Sequence, residues 1–199
     1  MGEKIEYFSG EAMSDSLVKQ AVALDRSVYP REYWLDENIA AAYLHACPSI
    51  YTCAVCGTTL VGYLNMSCID ESSYRTLLKG EQNDLCIGAE NLCVPQPGRD
   101  NYLYFSSIVV DTRFRGKGVA RGLFACFGEK LARLRSRGIL FSDVIAEAVS
   151  IHGERLCRAF GMTVVKKTAC GGTLFRFPMK GSSADIALES FIEKLKGGR

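Results

Sequence analysis

The stretch Val109–Phe124, VVDTRFRGKGVARGLF, constrains this chain more than any other. A β-branched apolar run stops at Asp111, two glycines follow among arginines and a lysine, and an apolar pattern of helical period then begins. Strand, glycine turn and helix in that order put unpaired helix N–H groups and the positive end of a dipole beside backbone without a Cβ. That combination suits an anion. Four cations, Arg113, Arg115, Lys117 and Arg121, crowd the same turn and add charged donors. Residues Gly116 to Arg121 therefore read as a pyrophosphate cradle, with a surface turn of solvated arginines as the competing reading. Two known phosphate loops are excluded. The P-loop needs Lys–Ser/Thr after its last glycine, where this chain has Val119; the dinucleotide fingerprint needs a glycine at the position of Arg121, and the next one here is Gly122, one residue late.

The 199 residues, 48% of them hydrophobic, can bury a substantial core, and the length predicts a single domain over 1–199. A net charge of +2 argues against nucleic acid or an anionic membrane as partner, so any basic patch is local. No run approaches the roughly 18 apolar residues of a spanning helix, and MGEKIEYFSGEAM lacks the apolar stretch of a signal peptide; the expected location is the cytoplasm. Nine scattered cysteines, an odd count, speak against a secreted disulfide framework. Cys53 and Cys56 form a C-x-x-C without a second pair or nearby histidines, and read as small apolar residues in two strands around a Gly-Thr turn. No metal site is expected.

Periodicity gives an element order. EKIEYF predicts a short strand, followed by helical spacing from Met13 through Tyr29 and from Tyr33 through Leu44, broken at Pro30. SIYTCAV and TTLVGYLNMSC predict a hairpin, and the polar, irregular 69–100 stretch reads as an insertion with one short helix around Tyr74 to Lys79. NYLYFSSIVV is a strand, GVARGLFACFGEKLARLRSRG an amphipathic helix and ILFSDVIAEAV another strand. A helix through GERLCRAFG, strands MTVVKKTA and GTLFRFPM, and a C-terminal helix over 183–199 complete the chain.

Arg113-x-x-Gly116-x-Gly118, between the strand IVVD and an amphipathic helix, resembles the acyl-CoA signature of the GCN5-related N-acetyltransferase (GNAT) superfamily. Leu156-Cys157-Arg158-Ala159-Phe160-Gly161-Met162 occupies the frame of that family's L-Y-x-x-x-G-F, and the order of elements is similar from about residue 3 to 180. Motif, order and second frame together carry the resemblance. It implies an α/β (α+β) fold with a mixed, mostly antiparallel seven-stranded sheet, splayed between strands 4 and 5 and flanked by helices.

The resemblance further implies an acyl-CoA-dependent N-acyltransferase, with acetyl-CoA or another acyl-CoA as co-substrate and no metal. Pantetheine would pair with Ser107, Ile108, Val109 and Val110, a backbone N–H near Ile108 polarising the thioester carbonyl. Arg113, Arg115, Gly116, Lys117, Gly118, Val119, Ala120 and Arg121 would hold the pyrophosphate. Ser150 stands where an asparagine often holds the cofactor arm, and His152 lies just beyond it. The acceptor would be an amine on a small molecule or a protein, and the enzyme a monomer or homodimer.

An amine of pKa near 10 must lose a proton to react, and a carboxylate is the usual base. Period-two alternation puts Glu147 on one face with Ile145 and Asp143, beside the splay; it reads either as that base or as a structural carboxylate. Asp70 and Glu71 are the other candidates. Cys157 replaces the tyrosine that often reprotonates the leaving thiolate, and is either a thiol acid or a core residue. The insertion's mild acidic excess, Asp70, Glu71, Glu81, Asp84 and Glu90 against Arg75, Lys79 and Arg99, suits a cationic acceptor or only a solvated loop. Tyr29, Tyr33, Trp34 and Tyr74 read as lining a cleft or facing the core. A non-catalytic acyl-CoA-binding sensor or scaffold is the alternative function.

Overall fold

The computed structural model describes residues 4–179 and 184–197. In chain order the elements are β1 (Ile5–Ser9), α1 (Asp15–Arg26), α2 (Glu37–Ala46), β2 (Tyr51–Cys56), β3 (Thr59–Ile69), α3 (Glu71–Lys79), β4 (Tyr102–Val110), α4 (Val119–Ser136), β5 (Asp143–Ala148), α5 (Ile151–Ala159), β6 (Thr163–Lys167), β7 (Thr173–Pro178) and α6 (Ala184–Gly197). The strands form one seven-stranded sheet, β1-β2-β3-β4-β5-β7-β6, antiparallel at every neighbouring pair except β4 with β5. This is the mixed, mostly antiparallel sheet that the resemblance implies.

Alternation along the strands sorts side chains into two helical layers. Leu64, Met66, Val144, Ala146 and Phe175 pack on one face with Leu123 and Phe127 of α4, Cys157 of α5 and Phe191 of α6. On the other face Tyr51, Cys53 and Tyr63 meet α1 and α2, while Tyr104 and Ile145 meet Tyr74 and Leu77 of α3. Cys53 and Cys56 therefore face opposite layers, so the two thiols cannot share one metal ion.

The feature that positions the site is a bulge in β4. Ser107 pairs with Asn65 of β3 and Phe105 with Met66, which leaves Ser106 as an extra residue. The parallel pairing with β5 ends one residue earlier, at Phe105 with Ala146. A bulge bends its strand and adds twist, so β4 leaves β5 here and the sheet opens. Alternation slips across the bulge: Leu103, Phe105, Ile108 and Val110 all face the α4 layer, whereas Tyr104 and Val109 face away.

Several boundaries differ from expectation. Helix α1 covers less than Met13–Tyr29 because Ser14 caps its start, accepting from the Leu17 amide, and a turn at Ser27 precedes Pro30. Helix α2 starts at Glu37, capped by Asp36, so Tyr33 ends a 3-10 turn and Trp34 lies exposed, with Arg26 5.8 Å from its ring. The short helix of the 69–100 segment begins at Glu71, not Tyr74, because Asp70 accepts from the Ser73 amide at 2.7 Å. Residues 183, 198 and 199 of the expected C-terminal helix lie outside the described residues.

Candidate active site

The opening between β4 and β5 is the end of one continuous cavity with 1090 Å³ of empty space, its mouth included. One end is walled by Ser106, Ser107 and Ile108 of β4, the segment Ala146 to Ser150, and Gly153, Leu156 and Cys157 of α5. The other is walled by α1, α2, the chain between them and the segment after α3.

Glu147 stands between the two ends, on the face of β5 that the alternation predicts. It is half-buried, and the Thr168 hydroxyl in the β6–β7 connection donates to its Oε1 at 2.5 Å. Thr168 Oγ1 in turn accepts from the Gly172 amide at 2.9 Å, which fixes the hydroxyl's direction. Burial raises the Glu147 carboxyl above the ordinary carboxylate range, the Thr168 bond opposes this, and the charge of Asp84 adds to the rise.

Beyond the splay, β4 runs into the glycine turn. Gly116 and Gly118 have φ of 74° and 80°, left-handed backbone that only glycine adopts without strain, and Gly118 caps the start of α4 at Val119. An added Cβ at either would meet nothing within 4 Å, so the requirement is conformational. Lys117 and Arg121 are exposed at this helix start, Ala120 is half-buried and Val119 is in the core. Arg113 instead turns back to pair with Asp111 at 2.7 Å, and Arg115 donates weakly to the Val110 carbonyl at 3.4 Å. Of the four cations that the sequence groups together, Arg113 already carries a counter-charge.

Other candidates separate by geometry. Cys157 is 3% exposed on the cavity wall, and burial pushes its thiol up to about 12. Ser150 caps α5, accepting from the Gly153 amide at 3.1 Å, and reaches the cavity, whose described lining does not include His152. Neither Asp70 nor Glu71 reaches it. Asp70 caps α3 and also accepts from Asn91; burial acts to raise its carboxyl, but the Ser73, Asn91 and Ser72 donors outweigh that and hold it below the usual range. Glu71 is exposed and pairs with Arg75. Tyr29 and Tyr33 line the cavity, whereas Tyr74 is buried under α3, donating to Asp143 at 2.7 Å.

Four residues that the sequence does not single out as a set complete the site. Asp25 of α1 accepts from the Tyr63 hydroxyl, and burial, the largest influence, pushes its carboxyl up to about 6. Asp84 accepts from Ser106, the bulge residue, at 2.6 Å; burial raises its carboxyl despite that bond and one from Tyr104. Asn65 Oδ1 is buried without a partner among the described residues. Charge counting flags Asp84 only as part of the insertion's acidic excess; nothing local in the sequence marks Asp25, Tyr63 or Asn65.

No family model matches this sequence, and no curated protein matches it. Solved structures do match in shape. The loading GNATL domain of CurA from Lyngbya majuscula is similar with a TM-score of 0.63 at 9% identity, over 88% of this chain and 98% of that one. The NatC complex bound to Gag peptide and CoA gives a TM-score of 0.57 at 12% identity, covering 89% of this chain and 99% of that chain. The PaiA N-acetyltransferase of Thermoplasma acidophilum, in complex with coenzyme A, gives 0.50 at 12%, over 87% and 98%. With the strand order and the splay between β4 and β5, these likenesses give the chain the fold of the GCN5-related N-acetyltransferase superfamily.

Proposed function

We propose that the protein is an acyl-CoA-dependent N-acyltransferase, acetyl-CoA being the first donor to test. The observation that carries the reading is the bulge at Ser106, where β4 parts from β5, followed on the same strand by the glycine turn at the start of α4. A slot with unpaired strand edge at one end and helix N–H groups at the other suits a long ligand with an amide-bearing arm and a pyrophosphate.

In this reading the β4 edge from Ser107 to Val110 aligns the arm and the turn from Gly116 to Arg121 holds the phosphates. The amine nitrogen attacks the thioester carbonyl carbon, the C–N bond forms, the C–S bond breaks, and the amine's proton passes to Glu147. The Ile108 amide stabilises the developing oxyanion. The thiolate regains a proton from solvent or from a wall residue. Cys157 holds its own proton tightly and contributes shape. We take the reaction to be cytoplasmic, a reading supported by the odd count of scattered cysteines in the sequence.

Gly118→Val tests the slot. A Cβ there meets no neighbour within 4 Å, so the fold should survive at a cost of about 1–2 kcal/mol in backbone strain, while acetyl-CoA binding by calorimetry falls below detection. Equal affinity in wild type and variant overturns the cradle. Thiol release on adding amines separates an enzyme from a sensor: a protein that binds acetyl-CoA tightly but releases no thiol with any amine is a sensor.

A further inference from the structure

The inner end of the cavity has a chemical character of its own. Two carboxylates line it, Asp25 from α1 and Asp84 from the segment after α3, and a third, Glu147 from β5, stands where it meets the other end. Among the described side chains lining the cavity there is no lysine, arginine or histidine. Each carboxylate is held by neutral donors: Tyr63 on Asp25, Ser106 on Asp84 and Thr168 on Glu147. Like charges crowded together repel: the charge of Asp84 acts unfavourably on both of the others, and outside the lining only Arg26 offsets part of this, at Asp25.

A second observation is independent of the charges. Asn65 on β3, only 8% exposed, lines the same cavity, and its Oδ1 has no partner among the described residues. A buried amide oxygen without a donor costs free energy, so a donor from a ligand is favoured there. The wall therefore offers acceptors. It also offers aromatic rings, Tyr29, Tyr43, Tyr51, Tyr63 and Tyr104, whose faces attract cations. A peptide N-terminus brings one ammonium and then carbonyl groups, which need donors; an amino acid brings a carboxylate, which this wall repels.

Building on the acyltransferase reading, we infer that the acceptor is a small diamine: one amine loses its proton near Glu147 and is acylated, while a second ammonium is held by Asp25, Asp84, Asn65 Oδ1 and the tyrosine rings. Only the distal nitrogen stays charged. The site thereby neutralises the repulsion built into its own wall.

The test compares propane, butane and pentane diamines with butylamine and with a short peptide bearing a free N-terminus, following thiol release from acetyl-CoA. The best diamine should exceed both others in kcat/KM by about 30-fold or more, the worth of a buried charge-assisted contact. Asp84→Asn should raise the diamine KM about tenfold or more while its acetyl-CoA affinity, measured by calorimetry, stays at the wild-type value. Butylamine or the peptide reacting as well as every diamine overturns the inference, and so does an unchanged diamine KM in Asp84→Asn. A wild-type protein that binds no acetyl-CoA overturns the acyltransferase reading instead. The receptor is then judged alone, by calorimetry of butane diamine against the cofactor-free protein: heat that disappears in Asp84→Asn supports it, and no heat in the wild type overturns it.

Discussion

A carboxylate that takes a proton from an amine works best when its own proton affinity lies near the working pH, yet it must be ionised to work at all. Glu147 meets both demands through opposing influences, burial raising its carboxyl and the Thr168 hydroxyl lowering it. The two can be separated. Thr168→Val removes a bond that stabilises the charged form, so the acidic limb of the pH–rate profile should move to higher pH, by about one unit for one such bond. A limb that stays put belongs to another group, Asp25 being the first alternative. Glu147→Gln should lower turnover at neutral pH by roughly 10²–10⁴, with recovery at high pH as neutral amine accumulates. Cys157 is a contrasting case at the same scale. Its thiol, pushed up to about 12, is a weaker acid than the thiol it would have to reprotonate, so Cys157→Ala should turn over at least as well as Cys157→Ser. A serine variant clearly more active than alanine restores the proton-donor role.

At the scale of elements, β4 does two jobs with one irregularity. The extra residue Ser106 bends the strand away from β5 and sends its own hydroxyl to Asp84. Deleting Ser106 should let β4 and β5 pair further, so thermal stability is retained or gained while acetyl-CoA binding is lost in calorimetry. Undiminished binding in a well-folded deletion would show that the opening has another cause. Most of the element order was legible in the sequence because α4 and β4 each repeat an apolar spacing over many residues, and the two glycines between them mark a turn with left-handed backbone. The bulge was not legible, since Ser106 differs in no local way from Ser107. Asp25 was not either: on a helix it reads as one more solvated charge, and only the packing of α1 against β3 buries it beside Tyr63. Glu147 stood out because a charge inside VIAEAV breaks an apolar strand.

For the whole molecule, the carboxylates crowded into one cavity make stability depend on pH in an unusual sense. Most carboxylates in folded proteins are held below their ordinary proton affinity, so acid destabilises the fold. Asp25 is the reverse. Its carboxyl is pushed up to about 6, above the 3.9 or so of an unfolded chain, so its contribution is fully present below about pH 4 and is lost as the pH climbs through 6. Asp25→Asn keeps an acceptor for Tyr63 but removes the charge. The variant should therefore melt above wild type at pH 8, by on the order of 1–2 kcal/mol, with the gap closing by pH 4. Taking the difference between the two proteins cancels the many groups that titrate in both. A cation bound at the inner end should act on the same gap. At pH 8, the same excess of butane diamine should raise the melting temperature of the wild type more than that of Asp25→Asn, because at equal ligand concentration the tighter complex gains more, as the logarithm of the affinity. Parallel melting curves across pH would place the cost of that buried charge elsewhere in the fold. A diamine shift equal in the two proteins would remove Asp25 from the acceptor site and leave the second ammonium to Asp84 and Asn65.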